Sequence, residues 1–207
     1  MFRGNKCYIF LKKMYLSALY FLGVKLQMNT TSTQYNEAIN KCRDIFIKKL
    51  KDYGTAWRSF RSSSLTDQIY IKAKRIRSIQ ERGFSKIDEG IIPEFMGIVN
   101  YSVMALVQLE LGYADEPDMD AARVENYYDT FIQKAKKLME DKNHDYSEAW
   151  REMRISSLTD MILVKLQRIK QIEDNQGKTI ASEGIDANYY DIINYAVFTL
   201  IRLREEI

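Results

Sequence analysis

The chain has 207 residues, of which 46% are hydrophobic and 29% charged, with a formal net charge of +3. That length supports one or two compact domains. So small a positive balance argues against a protein that grips a nucleic-acid backbone through a clustered basic stripe. Two cysteines, Cys7 and Cys42, stand in unlike surroundings; they argue against a disulfide framework or a metal knuckle and suit a reducing cytoplasm.

Residues 1–27 differ from the rest. Met14–Val24 (MYLSALYFLGV) is apolar and follows Arg3, Lys6, Lys12 and Lys13. It is too short to span a bilayer, which takes about 20 apolar residues, and no small-residue cleavage site follows it. The segment reads as an over-extended start upstream of Met28, with a signal or anchor segment as the alternative.

From Tyr35 onward the chain repeats itself. Tyr35–Leu109 aligns with Tyr128–Leu203 with one inserted residue, two copies of a module of roughly 75–80 residues. DYGTAWRSFRSSSLTDQIYIKAKRIRSI from Asp52 answers DYSEAWREMRISSLTDMILVKLQRIKQI from Asp145. EGIIPEFMGIVNYSVMALVQL from Glu89 answers EGIDANYYDIINYAVFTLIRL from Glu183.

Each copy reads as three helices, the first over 35–51 and 128–142. The second is predicted to start at N-caps Ser64 and Ser157, each followed three positions on by an acid in capping-box register. It runs to about Arg82 and Asn175, before Gly83 and Gly177. The third starts near Pro93, suited to a first turn, and near Ala187. Gly112–Asp120 is the linker, so the copies occupy 28–111 and 121–207. The expected fold class is all-α, a tandem duplication packed as an intramolecular pseudo-dimer with helices two and three of both copies in one four-helix core.

Polar residues identical in both copies ask for a reason beyond packing. On a helical wheel Lys72 and Lys165 fall at the flank of the apolar stripes made by Ile69 and Ile76, and by Ile162 and Ile169. Two readings stay open. A structural ion-pair network is one; a phosphate grip by Lys72, Arg75, Lys165 and Arg168 is the other, with Asp67 and Asp160 as further metal ligands. On the third helix Asn194 and Tyr195 adjoin Asp191 on the side away from Ile192, Leu200 and Leu203; Asn100 and Tyr101 are their counterparts. Gly97 stands where the second copy has Asp191, and Asn188 where the first has Glu94, so each copy keeps one acid of the two. Glu89 and Glu183 place an acid at the mouth of this helix in both. Tyr53, Trp57, Tyr146 and Trp150, in DYxxAWR motifs beside Arg58 or Arg151, are either core lids or platforms for a nucleobase. No Gly-rich phosphate loop, catalytic triad or Cys/His spacing appears.

The run K-x-x-DY-x-x-AWR, SLTD-x-I-x-x-K-x-x-RI and EG before an NY helix resembles the nucleotide modification associated domain, type one, a helical family of unknown function. Lys49, Asp52, Tyr53, Ala56 and Trp57 carry the match in the first copy, and Lys142, Asp145, Tyr146, Ala149 and Trp150 in the second. More distantly the chain is similar to the all-α MazG and dimeric dUTPase kind of nucleoside triphosphate pyrophosphohydrolase. Those hold Mg²⁺ against a triphosphate with ExxE and ExxD motifs. Here Glu94–Gly97 and Asn188–Asp191 sit where an ExxD is expected, each half degraded, and no ExxE helix is present.

The resemblance implies one of two functions. As a pyrophosphohydrolase of deoxynucleoside triphosphates, the chain brings Glu89, Glu94, Glu183 and Asp191 together around Mg²⁺ in a cleft between copies. As a binding module it needs only the aromatic and basic residues, and takes a nucleotide or a partner of a base-modification system. A helical scaffold is the third reading, in which Lys165 pairs with an acid of its own protein and no cavity exists. The expected location is cytoplasmic, with homo-oligomerisation open, no direct DNA contact, and no membrane unless the N-terminal segment is real.

Overall fold

The computed structural model describes residues 30–86, 90–178 and 183–205. The reading of residues 1–27, and Glu89 as a metal ligand, lie outside the described residues. Among the described residues every regular element is a helix: α1 (30–53), a 3₁₀ turn η1 (Ala56–Ser59), α2 (Ser62–Arg82), α3 (Ile92–Leu111), α4 (Ala121–Tyr146), a second turn η2 (Ala149–Glu152), α5 (Ile155–Asp174) and α6 (Ile185–Glu205). The chain is all-α, as the apolar spacing predicts.

The helix stops follow the glycines. Gly83, left-handed at φ 75°, donates its N–H to Ile79 O at 2.8 Å, and Gly177 at φ 80° donates to Ile172 O at 2.8 Å. At Gly83 no side chain has to enter the left-handed region, whereas after α5 Gln176, at φ 56°, enters it beside Gly177,. The expected N-caps are corrected. Helices α2 and α5 begin before Ser64 and Ser157, with Arg61 and Arg154 at the caps and no side-chain cap. The preceding 3₁₀ turns run through Phe60 and Met153 in extended conformation, so the chain enters each helix three residues sooner. Helix α4 exceeds its expected span at both ends; Asp120 caps it by accepting from Arg123 N–H at 2.8 Å.

Helices α2, α3, α6 and α5 pack side by side in a closed ring, and α4 lies against α6 and α3. Leu65, Ile69, Ala73 and Ile76 on α2, and Leu158, Ile162, Leu166 and Ile169 on α5, face inward and are fully buried. Their spacing is the amphipathic period of a helix that touches the core on one face. The central pair α3 and α6 is buried on most sides. Helix α3 is long and apolar enough to cross a membrane by length and composition, and most of that stretch is buried inside the fold.

The copies are joined by reciprocal polar contacts. Tyr35 on α1 donates its hydroxyl to Asn194 Oδ1 at 2.9 Å, and Tyr128 on α4 donates to Asn100 Oδ1 at 2.9 Å. The same asparagines donate Nδ2 to Cys42 O and Ala135 O, each at 3.0 Å, inside their own copies. Between α2 and α5, Lys170 Nζ meets Asp67 Oδ1 at 2.5 Å and Arg77 pairs with Asp160. Thr66 donates to Glu173 Oε1 at 2.9 Å while Gln80 Nε2 donates to Thr159 Oγ1 at 3.0 Å. Thus Thr and Asp of the repeated SLTD stretch match in both copies because each faces the other copy.

Candidate functional site

Two arginines shape what lies near the repeated aromatics. Arg58 is buried and holds Asp118 with Nε at 2.8 Å and Nη2 at 3.0 Å, and Gly112 O with Nη1 at 2.7 Å. Its bidentate grip keeps the Asp118 carboxyl below its ordinary range,. Arg151 does the same work in the other direction, donating to Glu148 at 2.7 Å, to Thr31 at 2.5 Å and to Gln34 at 2.6 Å. Each arginine therefore pins the entry to the first helix of the opposite copy. Gln108 and Arg202, equivalent positions with different side chains, both donate to the carbonyls of the 3₁₀ turns, at Arg58 and Phe60 and at Arg151 and Met153.

The turn so fixed leaves a pocket in each copy. The first, about 490 Å³, is lined by Lys49, Tyr53, Ala56, Trp57, Tyr101 and Met104 among others. The second, about 340 Å³, is lined by Lys142, Tyr146, Ala149, Trp150, Tyr195 and Phe198, together with Asp191 and Asn194. Lysine, both tyrosines, alanine and tryptophan correspond between the two walls, as do Met104 and Phe198, whereas Asp191 and Asn194 line the second alone. Both volumes fall in the range of small-molecule sites.

The pocket walls also name the family. A family model described as nucleotide modification associated domain 1 matches residues 49–109 and again 142–203. The chain belongs to the nucleotide modification associated domain 1 family. Each matched stretch opens on a pocket lysine, Lys49 or Lys142. Neither a curated protein nor a solved structure matches the chain.

Within this family member the four aromatics of the DYxxAW motifs part company. Tyr53 and Tyr146 are 73% and 70% exposed at the pocket lips. Trp57 and Trp150 are buried, so they are walls and not open platforms. Trp150 stacks on Phe198 at 4.3 Å and 4°, while the Arg151 guanidinium sits 4.4 Å from the same ring centroid. Two such neighbours crowd the ring and leave little of it open for stacking. Both indole Nε1 atoms are buried without a hydrogen-bond partner among the described residues. A buried donor left so has a cost of about 1–3 kcal/mol, and an acceptor entering the pocket would remove it.

The charged residues form pairs. In the second copy Asp191 accepts from Lys142 Nζ at Oδ1 and faces Lys165 Nζ at Oδ2, each at 2.6 Å. In the first copy Glu94 Oε2 accepts from Lys72 Nζ at 3.2 Å and Oε1 from Arg75. Both carboxylates are nearly buried, and each spends both oxygens on cations of its own copy. Arg168 is half-buried on α5, three residues beyond Lys165. The exchange of acids between copies now has a physical reason. A lysine at the flank of the core needs one counter-charge, and either position on the third helix supplies it.

Several expected placements are corrected. The acids do not meet in a cleft between copies: Glu94 and Asp191 each pair with cations of their own copy, only Asp191 lines a pocket, Glu183 is exposed, and Asp67 and Asp160 lie on the surface in the α2–α5 ion pairs. Among the described residues no three acidic, histidine or cysteine side chains gather as a metal would require, so the residues present do not fit the Mg²⁺ that the distant resemblance implies. Asn100 and Asn194 do not face away from the apolar group; they are buried, with carbonyl and amide both bonded. Tyr101 and Tyr195 are half-buried pocket walls, and burial, with Asp191 and Glu183 nearby, raises the Tyr195 hydroxyl above its ordinary value. Of the scaffold reading, one half is met, since Lys165 does pair with Asp191, and the other is not, since cavities are present.

Lys49 and Lys142 were missing from the expected phosphate-binding set. Their signal was available: both open the K-x-x-DY motif in both copies.

Proposed function

We propose that this protein binds a nucleotide without hydrolysing it, using the pocket that the family motif builds. The observation that carries the reading is the repeated wall itself: lysine, exposed tyrosine, alanine and buried tryptophan with an unbonded indole N–H, in both copies. A nucleotide answers each part. Its base has a face for the tyrosine, its polar edge an acceptor for the indole, and its phosphate a charge for the lysine. The family description, which concerns nucleotide modification, supports the same ligand class. Hydrolysis finds less support, because Glu94 and Asp191 are held by lysine and arginine. A carboxylate so neutralised is a poor metal ligand.

Equilibrium dialysis of the whole protein against each of the four dNTPs, with and without Mg²⁺, tests this. The expected result is retention of at least one dNTP in either condition with no pyrophosphate released. No retention of any would overturn the proposal, and pyrophosphate release would replace it with the hydrolase.

A further inference from the structure

The two pockets share a wall but not a charge pattern. In the second, Asp191 stands at the floor and draws in both lysines. In the first, its place is taken by Gly97. A Cβ there would come within 2.7 Å of Lys72 Cε, because the Lys72 chain lies across the glycine on its way to Glu94 one turn earlier. Glu94 is not part of the pocket wall, whereas Asp191 is. Lys49, like its counterpart Lys142, is exposed, but unlike Lys142 it has no ion pair among the described residues. Lys72 is tied to Glu94 but keeps its ammonium 5.7 Å from the Tyr101 ring, another wall of the same pocket.

A second difference runs the same way. Phe198 closes over the Trp150 ring, and the first copy has the flexible Met104 in its position. The first pocket is larger, about 490 Å³ against about 340 Å³.

We infer that the copies have diverged in role: the first pocket takes the phosphate-bearing ligand through Lys49, and in the second the Asp191 carboxylate occupies the place of that phosphate. This rests on the nucleotide reading above and adds which half of the duplication does the binding. The physics is a competition for the same lysines. An anion entering the second pocket meets Asp191, a like charge already bonded at 2.6 Å to both cations, and must displace it. An anion entering the first meets the Lys49 ammonium, which has no ion pair among the described residues. The second pocket is thus a self-neutralised copy of the first, and Asn188, which stands where the first copy has Glu94, is fully buried with Nδ2 on Gly184 O at 2.8 Å.

Calorimetric titration of the intact protein with dTTP decides the matter. The expected stoichiometry is one per chain. Lys49→Ala weakens binding by about tenfold or more, while Lys48→Ala, a neighbouring exposed lysine outside the pocket, leaves it unchanged. The double change Asn188→Glu with Asp191→Gly gives the second copy the acid arrangement of the first, keeps a partner for Lys165, and raises the stoichiometry to two. Two equal sites in the unmodified chain, or one site indifferent to Lys49→Ala, overturn the asymmetry and leave the nucleotide reading standing. No dTTP bound at all, with none of the other dNTPs retained in dialysis, overturns both. The lysine pair alone decides if the double variant does not fold.

Discussion

The seam between the copies and the two pockets are built from the same kind of residue, polar side chains that match in both halves, yet they are finished differently. At the seam every such group has a partner: Tyr35 with Asn194, Tyr128 with Asn100, Asp67 with Lys170, Asp160 with Arg77. In the pockets Tyr53 and Tyr146 stand in solvent and the indole N–H groups are unbonded among the described residues. Matching in a duplication therefore has two sources. One is a surface that must meet its own counterpart, and the other is a wall whose counterpart comes from outside.

That contrast can be broken most sharply at the asparagines. Asn100→Ala or Asn194→Ala removes two buried hydrogen bonds and leaves a tyrosine hydroxyl without its acceptor. We expect a loss of about 2–4 kcal/mol for each in urea unfolding, and similar losses for the two because their partners are equivalent. Tyr35→Phe and Tyr128→Phe delete one of those bonds apiece and should cost about 1–2 kcal/mol. Burial holds both hydroxyls well above their ordinary pKa, so the wild-type bonds persist into alkaline solution. The pocket tyrosines should behave oppositely. Tyr53→Ala leaves unfolding within about 0.5 kcal/mol while weakening nucleotide binding about tenfold.

The smallest effect belongs to the edge of the seam. Glu173 has its carboxyl raised, first by burial and then by Asp67 and Asp174, against the bond from Thr66 and the charge of Lys170. A raised acid supports the fold below its unfolded pKa and loses that support as pH climbs through its folded value. Glu173→Gln copies the first half, where Gln80 fills this place. It should stabilise the protein by no more than about 0.5 kcal/mol at neutral pH, and the gain should vanish toward pH 4.

The duplication, the helices and their glycine stops were legible because they follow local rules that no partner overrides. The pairing of Lys165 was half legible, since its place on the wheel already required a counter-charge. The asparagines were misplaced because the wheel assumes one wet face, whereas α3 and α6 are buried on most sides. The N-caps were misplaced because the 3₁₀ turns, whose own Arg58 and Arg151 are anchored to Asp118 and Thr31 across the seam, decide where α2 and α5 begin. Long-range contacts of that kind leave no local trace. Lys49 and Lys142 were visible as motif residues, but whether each is paired depends on where its copy keeps the acid.

Because Trp57 and Trp150 are the only two tryptophans and each lines one pocket, their two indole N–H signals in a ¹H–¹⁵N spectrum report on the two sites separately. Addition of dTTP should shift the Trp57 signal, as its N–H gains an acceptor, and leave that of Trp150 in place. Two unmoved indoles at saturating dTTP, or a shift at Trp150 alone, would contradict the account.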